Sequence, residues 1–416
     1  MGGGLPAGMS AREAEVLDAV GAHLSNAQIA HRLHISVRTV ESHVQSLLRK
    51  FGAANRRELA ALAPAAGLPA ATSGLPAPWT SFVGRDRERE AVFAALRGAR
   101  LVSLVGPGGV GKTRLAVEVA QGSASLFPSG CAFADLVPVR EGFVVQAVAG
   151  VLGVSEHPLR PLVEGVLDYL AARKSLLVLD NCEHLLAEVA VFTERLMAAC
   201  RGVRVLATSR ERIGVVGEHM VTVPPLSVVA GGADKVTAGS EAAVLFIDRA
   251  RAADSGFIPA AAVDELCTRL EGMPLAIELA AARSASLGLD GLLAGLDDYL
   301  RLLAGGRGAD PRHHSLRAVI SWSHDLLDDP ERVMFRRLCV FAGRFDLEAA
   351  SAISEAGQGA AVADVIGRLA DKSLLVATGG SGSGGWRMLD TVRAYAVEQL
   401  AISGEEPVVR HRYLSW

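Results

Sequence analysis

The 416-residue chain is poor in several things, and each scarcity excludes something. Lysine occurs only at positions 50, 112, 174, 235 and 372, so nearly all basic charge is arginine. Basic residues (42) are outnumbered by acidic ones (45), leaving a net charge of −3. The protein as a whole is therefore not a basic coat for nucleic acid, and any DNA contact has to come from a local patch. The five cysteines (Cys131, Cys182, Cys200, Cys267, Cys339) fall in no C-x-x-C or Cys/His cluster, so neither zinc nor a disulfide framework is indicated; they read as buried fillers. The longest apolar stretch, 143–154, contains Gln146 and falls short of the roughly 20 residues that cross a bilayer. The N-terminus has no basic segment followed by an apolar core. The expectation is a reduced, soluble, cytoplasmic protein without membrane partners.

What is abundant is apolar residue (50%), against 21% charged, which is the composition of a globular chain; the length suggests about three domains. Residues 64–78, PAAGLPAATSGLPAP, carry no charge and no period and read as a flexible linker. Looser stretches recur at 228–240 and 304–311. The run 379–385, GGSGSGG, sits between two short strand-like pieces and reads as a hairpin tip.

Upstream of the linker, helix punctuation is dense. Ser10 with Glu13 and Ser25 with Gln28 have capping-box spacing, and Ser36 is placed to cap a third helix. Apolar residues follow at helical spacing: Val16, Leu17 and Val20, then Ile29 and Leu33, then Val40, Val44, Leu47, Leu48 and Phe51. A fourth helix is expected over 57–63. A short helix, a tight turn at 33–36 and a longer helix make a helix-turn-helix, whose exposed face would carry Arg38, Glu41, Ser42, Gln45 and Arg49 toward a major groove. The unit has an excess of only two positive charges, so one copy would bind modestly and salt-sensitively. Spacing alone leaves open a small helical bundle used for protein contact.

The motifs S-x-R-E-x-E-V-L, L-S-N-x-x-I-A-x-R-L, S-V-R-T-V-E-S-H-V and L-R-K-F-G then make residues 9–63 resemble LuxR-type helix-turn-helix domains. That resemblance implies base reading by Glu41, Ser42 and Gln45, with Arg38, Thr39, Arg49 and Lys50 near phosphates of a double-stranded operator. An acid at position 41 would either accept from cytosine N4 or weaken nonspecific binding. Such domains usually bind as dimers, so self-association as a dimer or higher form is implied, with RNA polymerase as a further contact.

Downstream, the apolar run 101–105 enters GPGGVGKT, comprising Gly106, Pro107, Gly108, Gly109, Val110, Gly111, Lys112 and Thr113, and then a helical pattern that starts at Arg114. Strand, glycine-rich loop and helix in that order form a phosphate cradle. Backbone N–H groups turn inward, Lys112 reaches the β/γ-phosphates and the Thr113 hydroxyl ligates Mg²⁺. A second apolar run, 175–179, ends in Asp180, a carboxylate for the same metal; a third, 203–207, leads to Arg210. Alternating strands and helices predict a parallel, doubly wound sheet with its ligand edge at these strand ends.

The motif order FVGRDRE, GPGGVGKT, LLVLDNCEHL, VLATSRE, GMPLAIELAA and WRMLDTVRAYA resembles NB-ARC-type ATPases of the STAND class from residue 82 onward. The resemblance implies ATP/ADP and Mg²⁺ as cofactors, Val83 and Arg85 beside the adenine, Arg210 as a sensor of the terminal phosphate, and Pro274 touching base or ribose. It divides the chain into a helix-turn-helix domain (1–63), linker (64–78), P-loop NTPase domain (79–227), helical subdomain (228–305), and winged helix with the start of a C-terminal helical region (306–416). Asn181 follows Asp180 where faster relatives keep an acid, and Glu183 is either its substitute or a helix-start residue. Slow hydrolysis at most and a binding switch are expected, with Lys112, Asp180 and Glu183 as the catalytic set. Leu389, in Met388-Leu389-Asp390, stands where relatives have a histidine that bonds the β-phosphate. The reading is thus a multidomain chain: an all-α reading head, an α/β P-loop NTPase with a parallel sheet, a helical subdomain and a winged helix. Together they form a DNA-binding transcriptional regulator switched by ATP and ADP. Its rivals are a signalling ATPase whose helix-turn-helix holds proteins, and a constitutive DNA binder with a structural nucleotide. His313 and His314 read as loop residues, and Trp322, Phe335, Leu338 and Phe341 as core.

Overall fold

The structure, a computed structural model, describes residues 12–13, 16–17, 20, 26–33, 35–53, 59, 75–157, 160–228, 240–296, 316–354, 359–378 and 385–416. Ser10, Ser25, His313, His314, nearly all of 57–63, most of the linker and both looser stretches, and the hairpin tip at 379–384 lie outside them.

The reading head has a core of its own. Val16, Leu17 and Val20 pack with Ile29 of α1 (Asn26–Leu33), with Val40, Val44 and Leu47 of α2 (Val37–Phe51), and with Leu59. Ser36 starts α2: its hydroxyl accepts from the Thr39 backbone N–H at 3.1 Å. Gly52, in the left-handed region, ends the helix.

The second unit is built on five parallel strands: β1 (Leu101–Val105), β2 (Cys131–Asp135), β3 (Leu176–Asp180), β4 (Arg204–Ser209) and β5 (Glu218–Thr222), in the order β2-β3-β4-β1-β5. Successive strand residues point to opposite faces, and both faces are covered. In β3, Leu176 and Val178 enter one core while Leu177 and Leu179 enter the other. In β4, Leu206 faces the first core and Val205 and Ala207 the second. This is why β1, β3 and β4 read as largely apolar runs. Helices α3 (Asp86–Gly98) and α4 (Lys112–Gly122) contribute to the first core, and α5 (Val144–Leu152), α6 (Leu162–Ala171) and α7 (Leu186–Ala199) to the second.

The first core continues without a break into the next two units. Helices α8 (Glu241–Ala253), α9 (Ala262–Arg269), α10 (Pro274–Ala281) and α11 (Ser284–Gly295) form the helical subdomain. Then come α12 (Leu316–Asp325), α13 (Asp329–Leu338), α14 (Leu347–Ile353), α15 (Gly359–Asp371), the antiparallel pair β6 (Val376–Ala377) and β7 (Trp386–Arg387), α16 (Asp390–Ser403) and α17 (Glu406–Ser415). A capping box at Asp328 and Glu331 starts α13. Phe335, Leu338 and Phe341 are core residues and all five cysteines are buried, as the sequence predicts. Trp322 is not core: it is only partly buried and lies against Arg210 of the sheet unit, because α12 crosses the strand ends. Among the described residues, no helix is long and apolar enough to cross a membrane.

Candidate nucleotide site and DNA-reading helix

The C-terminal ends of β1, β3 and β4 bring the motif residues together. The loop leaving β1 takes left-handed conformations at Gly109 (φ +77°) and Gly111 (φ +93°), which side chains other than glycine rarely adopt. Lys112, at the start of α4, is buried, and its Nζ donates to the carbonyls of Gly106 (2.7 Å) and Pro107 (3.0 Å). Burial pushes its ammonium down to about 8, against the pull of Glu183. The adjacent Thr113 hydroxyl donates to Asp180 Oδ1 at 2.8 Å. The Thr208 hydroxyl donates to the same oxygen at 2.5 Å, and Asn181 Nδ2 to Asp180 Oδ2 at 2.7 Å. Burial raises the Asp180 carboxyl to about 6, although both hydroxyl bonds oppose the shift. A hydroxyl and a carboxylate held side by side, next to a buried ammonium at a helix N-terminus, are the hard-oxygen donors and the cation that a Mg²⁺–phosphate group requires. The residues present fit that group.

Arg210 and Glu183 form a buried ion pair, Nε to Oε1 3.1 Å. Glu183 lies in a 3₁₀ turn (Cys182–His184) rather than at the start of α7, and its second oxygen, Oε2, is buried without a hydrogen-bond partner. Arg210 also donates from Nη2 to the Val319 carbonyl of α12 (3.3 Å), and its guanidinium lies 5.0 Å from the centre of the Trp322 ring. A Cβ added at Gly108 would come within 2.5 Å of Val319, so α12 is seated directly on the loop. The space left there, bounded by Pro107, Gly108, Arg210, Val319 and Leu389, is about 20 Å³.

The remaining nucleotide-binding candidates surround the same loop. Arg85 adopts a left-handed conformation (φ +68°) ahead of α3. Its guanidinium is buried, donating to the carbonyls of Val110 (2.9 Å) and Pro224 and pairing with Glu88 at 3.3 Å. Its backbone N–H donates to Glu241 Oε1 at 2.9 Å. Arg85 thus braces the loop from behind through Val110. Val83 is partly buried against the first core. Arg114 donates to the Thr80 carbonyl. Pro274 is the first residue of α10, where its missing N–H costs nothing, and the Leu275 N–H donates to the Gly109 carbonyl at 3.2 Å. Three contacts were invisible to sequence reasoning because each joins residues far apart in the chain: Thr208 to Asp180, Glu241 to Arg85, and Trp322 to Arg210.

On the reading head, Arg38, Glu41, Ser42, Gln45 and Arg49 all lie on the exposed face of α2, opposite the buried Val40, Val44 and Leu47. Thr39 is exposed, with its hydroxyl hydrogen-bonded to that of Ser36 at 2.7 Å. Lys50 turns the other way: its ammonium pairs with Glu13 Oε2 at 2.7 Å, and the Ser46 hydroxyl donates to Glu13 Oε1 at 2.7 Å. The Glu13 carboxylate ties the segment ahead of α1 to α2, while the cap predicted for it with Ser10 lies outside the described residues. A carboxylate this buried requires a cation and a donor, and α2 supplies both.

Comparison with known proteins agrees with this architecture. The family model described as bacterial regulatory proteins, luxR family, matches residues 7–63, and one described as a winged helix-turn-helix domain matches 327–401. A Mycobacterium tuberculosis protein named as an HTH-type transcriptional regulator, Rv0890c, is 46% identical over 329 residues, covering 77% of this chain and 36% of its own length. An uncharacterized protein of the same organism, Rv0894, is 40% identical over 343 residues, covering 80% of this chain and 85% of its own. Among solved structures, the Walker-type ATPase PABY2304 of Pyrococcus abyssi aligns with a TM-score of 0.53 at 11% identity, over 76% of this chain and 96% of that one, a likeness of fold. The chain belongs to the same family as Rv0894, and it joins a LuxR-type helix-turn-helix at residues 7–63 to a P-loop ATPase fold and a winged helix at 327–401. It spans about a third of the length of the named regulator.

Proposed function

We propose that this chain is a DNA-binding transcriptional regulator whose self-association on an operator is set by the adenine nucleotide at its P-loop. The observation that carries the reading is the state of the site's polar groups. Lys112, Thr113, Asp180 and Arg210 each hold an internal partner, and one partner of Arg210 belongs to the winged-helix unit. In this arrangement the lysine that would meet the phosphates donates to loop carbonyls, and the sensor arginine holds α12 against Gly108.

ATP and Mg²⁺ would be held by Lys112, Thr113 and Asp180, the metal offsetting phosphate charge. Binding requires Lys112 to leave the Gly106 and Pro107 carbonyls and α12 to withdraw from Gly108. Arg210 is placed to couple the two, since turning its guanidinium toward an incoming phosphate would draw it away from the Val319 carbonyl. A nucleotide shifts the balance only by preferring one arrangement, so the withdrawn form must bind ATP more tightly than the seated form does. Asn181 donates to Asp180 instead of polarising a water, and Glu183 is tied to Arg210, both of which favour slow turnover and a switch. Two reading heads brought together by self-association would grip a two-part site with higher effective concentration.

The test is recovery of genomic fragments by the purified chain with and without ATP-Mg²⁺, beside the Lys112→Ala variant. Wild type should enrich defined fragments only with nucleotide. The variant should lose nucleotide affinity by at least about a hundredfold, as expected when a buried charged partner is removed, while still binding duplex weakly through its head. Identical enrichment with and without nucleotide refutes the switch. Absence of any salt-dependent duplex binding refutes DNA recognition and favours a signalling ATPase.

A further inference from the structure

At the opposite end of the sheet from the P-loop, where β3 and β4 begin, a cavity of about 380 Å³ opens to solvent. Its apolar lining includes Leu96 and Phe127. Its charge comes from Arg97, Arg173, Lys174, Arg201 and Arg204, and no carboxylate lines it. The five come from three separate segments: the last turn of α3, the turn between α6 and β3, and the turn between α7 and β4 together with the first residue of β4. None forms an ion pair among the described residues.

The cluster is held in place. Arg173 donates from Nε to the Tyr169 carbonyl at 2.9 Å, and its guanidinium lies 4.1 Å from the centre of the Tyr169 ring. Arg204 Nη2 donates to the Arg97 carbonyl at 3.4 Å. The two basic turns touch at Gly202, where an added Cβ would lie 2.3 Å from the Arg173 carbonyl oxygen, so any other residue would force them apart. Basic residues commonly complement helix C-termini, and α3, α6 and α7 end here. Each such end carries about half a negative charge, so together they offset at most roughly a third of the five positive charges. The remainder is positive charge concentrated over a concave, partly apolar surface, and the volume is in the range of small-molecule sites, about 300–1,000 Å³. A duplex presents a convex ridge of phosphates and fits a flat or grooved surface better than a pocket of this size.

We propose that this cavity binds a small solute bearing two or more phosphate groups, at a site separate from the P-loop. The test uses inorganic tripolyphosphate and the full chain carrying Lys112→Ala, which disables the P-loop. Calorimetric titration at fixed ionic strength should show binding, and adding Arg97→Gln with Arg201→Gln should weaken it at least tenfold. Both arginines are exposed, so the melting temperature without polyanion should not move. The proposal is overturned if tripolyphosphate does not bind the Lys112→Ala chain, or if binding survives the double substitution. It is also overturned if that substitution weakens binding of a random-sequence duplex and leaves tripolyphosphate unaffected, which would assign the surface to nucleic acid. Because the P-loop lysine is already absent, each of these outcomes leaves the nucleotide reading untouched.

Discussion

The exposed face of α2 and the C-terminal edge of the sheet handle their polar groups in opposite ways. Arg38, Glu41, Ser42, Gln45 and Arg49 project from a helix already capped at Ser36 and packed by Val40, Val44 and Leu47. These five side chains share one solvent-facing side of the helix, the placement that a groove-reading helix requires. At the sheet edge the motif residues are engaged inwardly: Lys112 with carbonyls, Thr113 with Asp180, Arg210 with Glu183 and Val319. A ligand there must replace bonds that already exist. A surface of the first kind is suited to recognition, and a site of the second kind to control, because exchanging one set of partners for another gives two distinct arrangements.

The largest effect that would sharpen this contrast comes from Asp180. Its carboxyl is raised from 3.8 to about 6, so between those values the folded chain keeps a proton that the unfolded chain has lost. Fold stability from this group therefore falls as pH rises from about 4 to 6, by on the order of 3 kcal/mol. Asp180→Asn cannot ionise and should lack that slope. Urea unfolding at pH 4, 5, 6 and 7 measures it, and parallel curves for the two proteins would mean that Asp180 titrates normally.

A smaller effect would break the contrast by loosening the closed region. Trp322→Ala removes the ring beside the Arg210 guanidinium, a contact worth up to about 2 kcal/mol when desolvated. Weakening the seated form should raise ATP affinity roughly tenfold at equilibrium. An unchanged dissociation constant would show that α12 does not govern access. The smallest effect belongs to the open region. Gln45→Ala should relax preference at one base position by about 1–3 kcal/mol with little loss of total affinity. Selection from random duplexes reads this directly, and an unaltered preferred sequence removes Gln45 from the reading set.

How much of this was legible in the sequence depended on distance along the chain. The runs 101–105, 175–179 and 203–207 are strands because they are buried on both faces, and the glycine-rich loop between strand and helix is a local pattern. The cap at Ser36 and the stripe on α2 are also local. The strands Cys131–Asp135 and Glu218–Thr222 were missed: the first, CAFAD, has small alanines in place of large apolar residues and ends on Asp135, and the second, EHMVT, is an edge strand exposed at His219 and Met220. What surrounds the candidate nucleotide site was illegible for a different reason. Trp322 occupies a helical position that suits core packing equally well, and only the tertiary fold brings it to Arg210. The bonds from Ser46 and Lys50 to Glu13 were illegible for the same reason, since those partners lie more than thirty residues downstream.

The apolar interior has a consequence for heating. One uninterrupted cluster runs from α3 and α4 through the helical subdomain to Val409 of α17, whereas the head keeps a small cluster to itself. Calorimetry should resolve the head as a separate minor peak, while the remaining units melt together in a single cooperative endotherm.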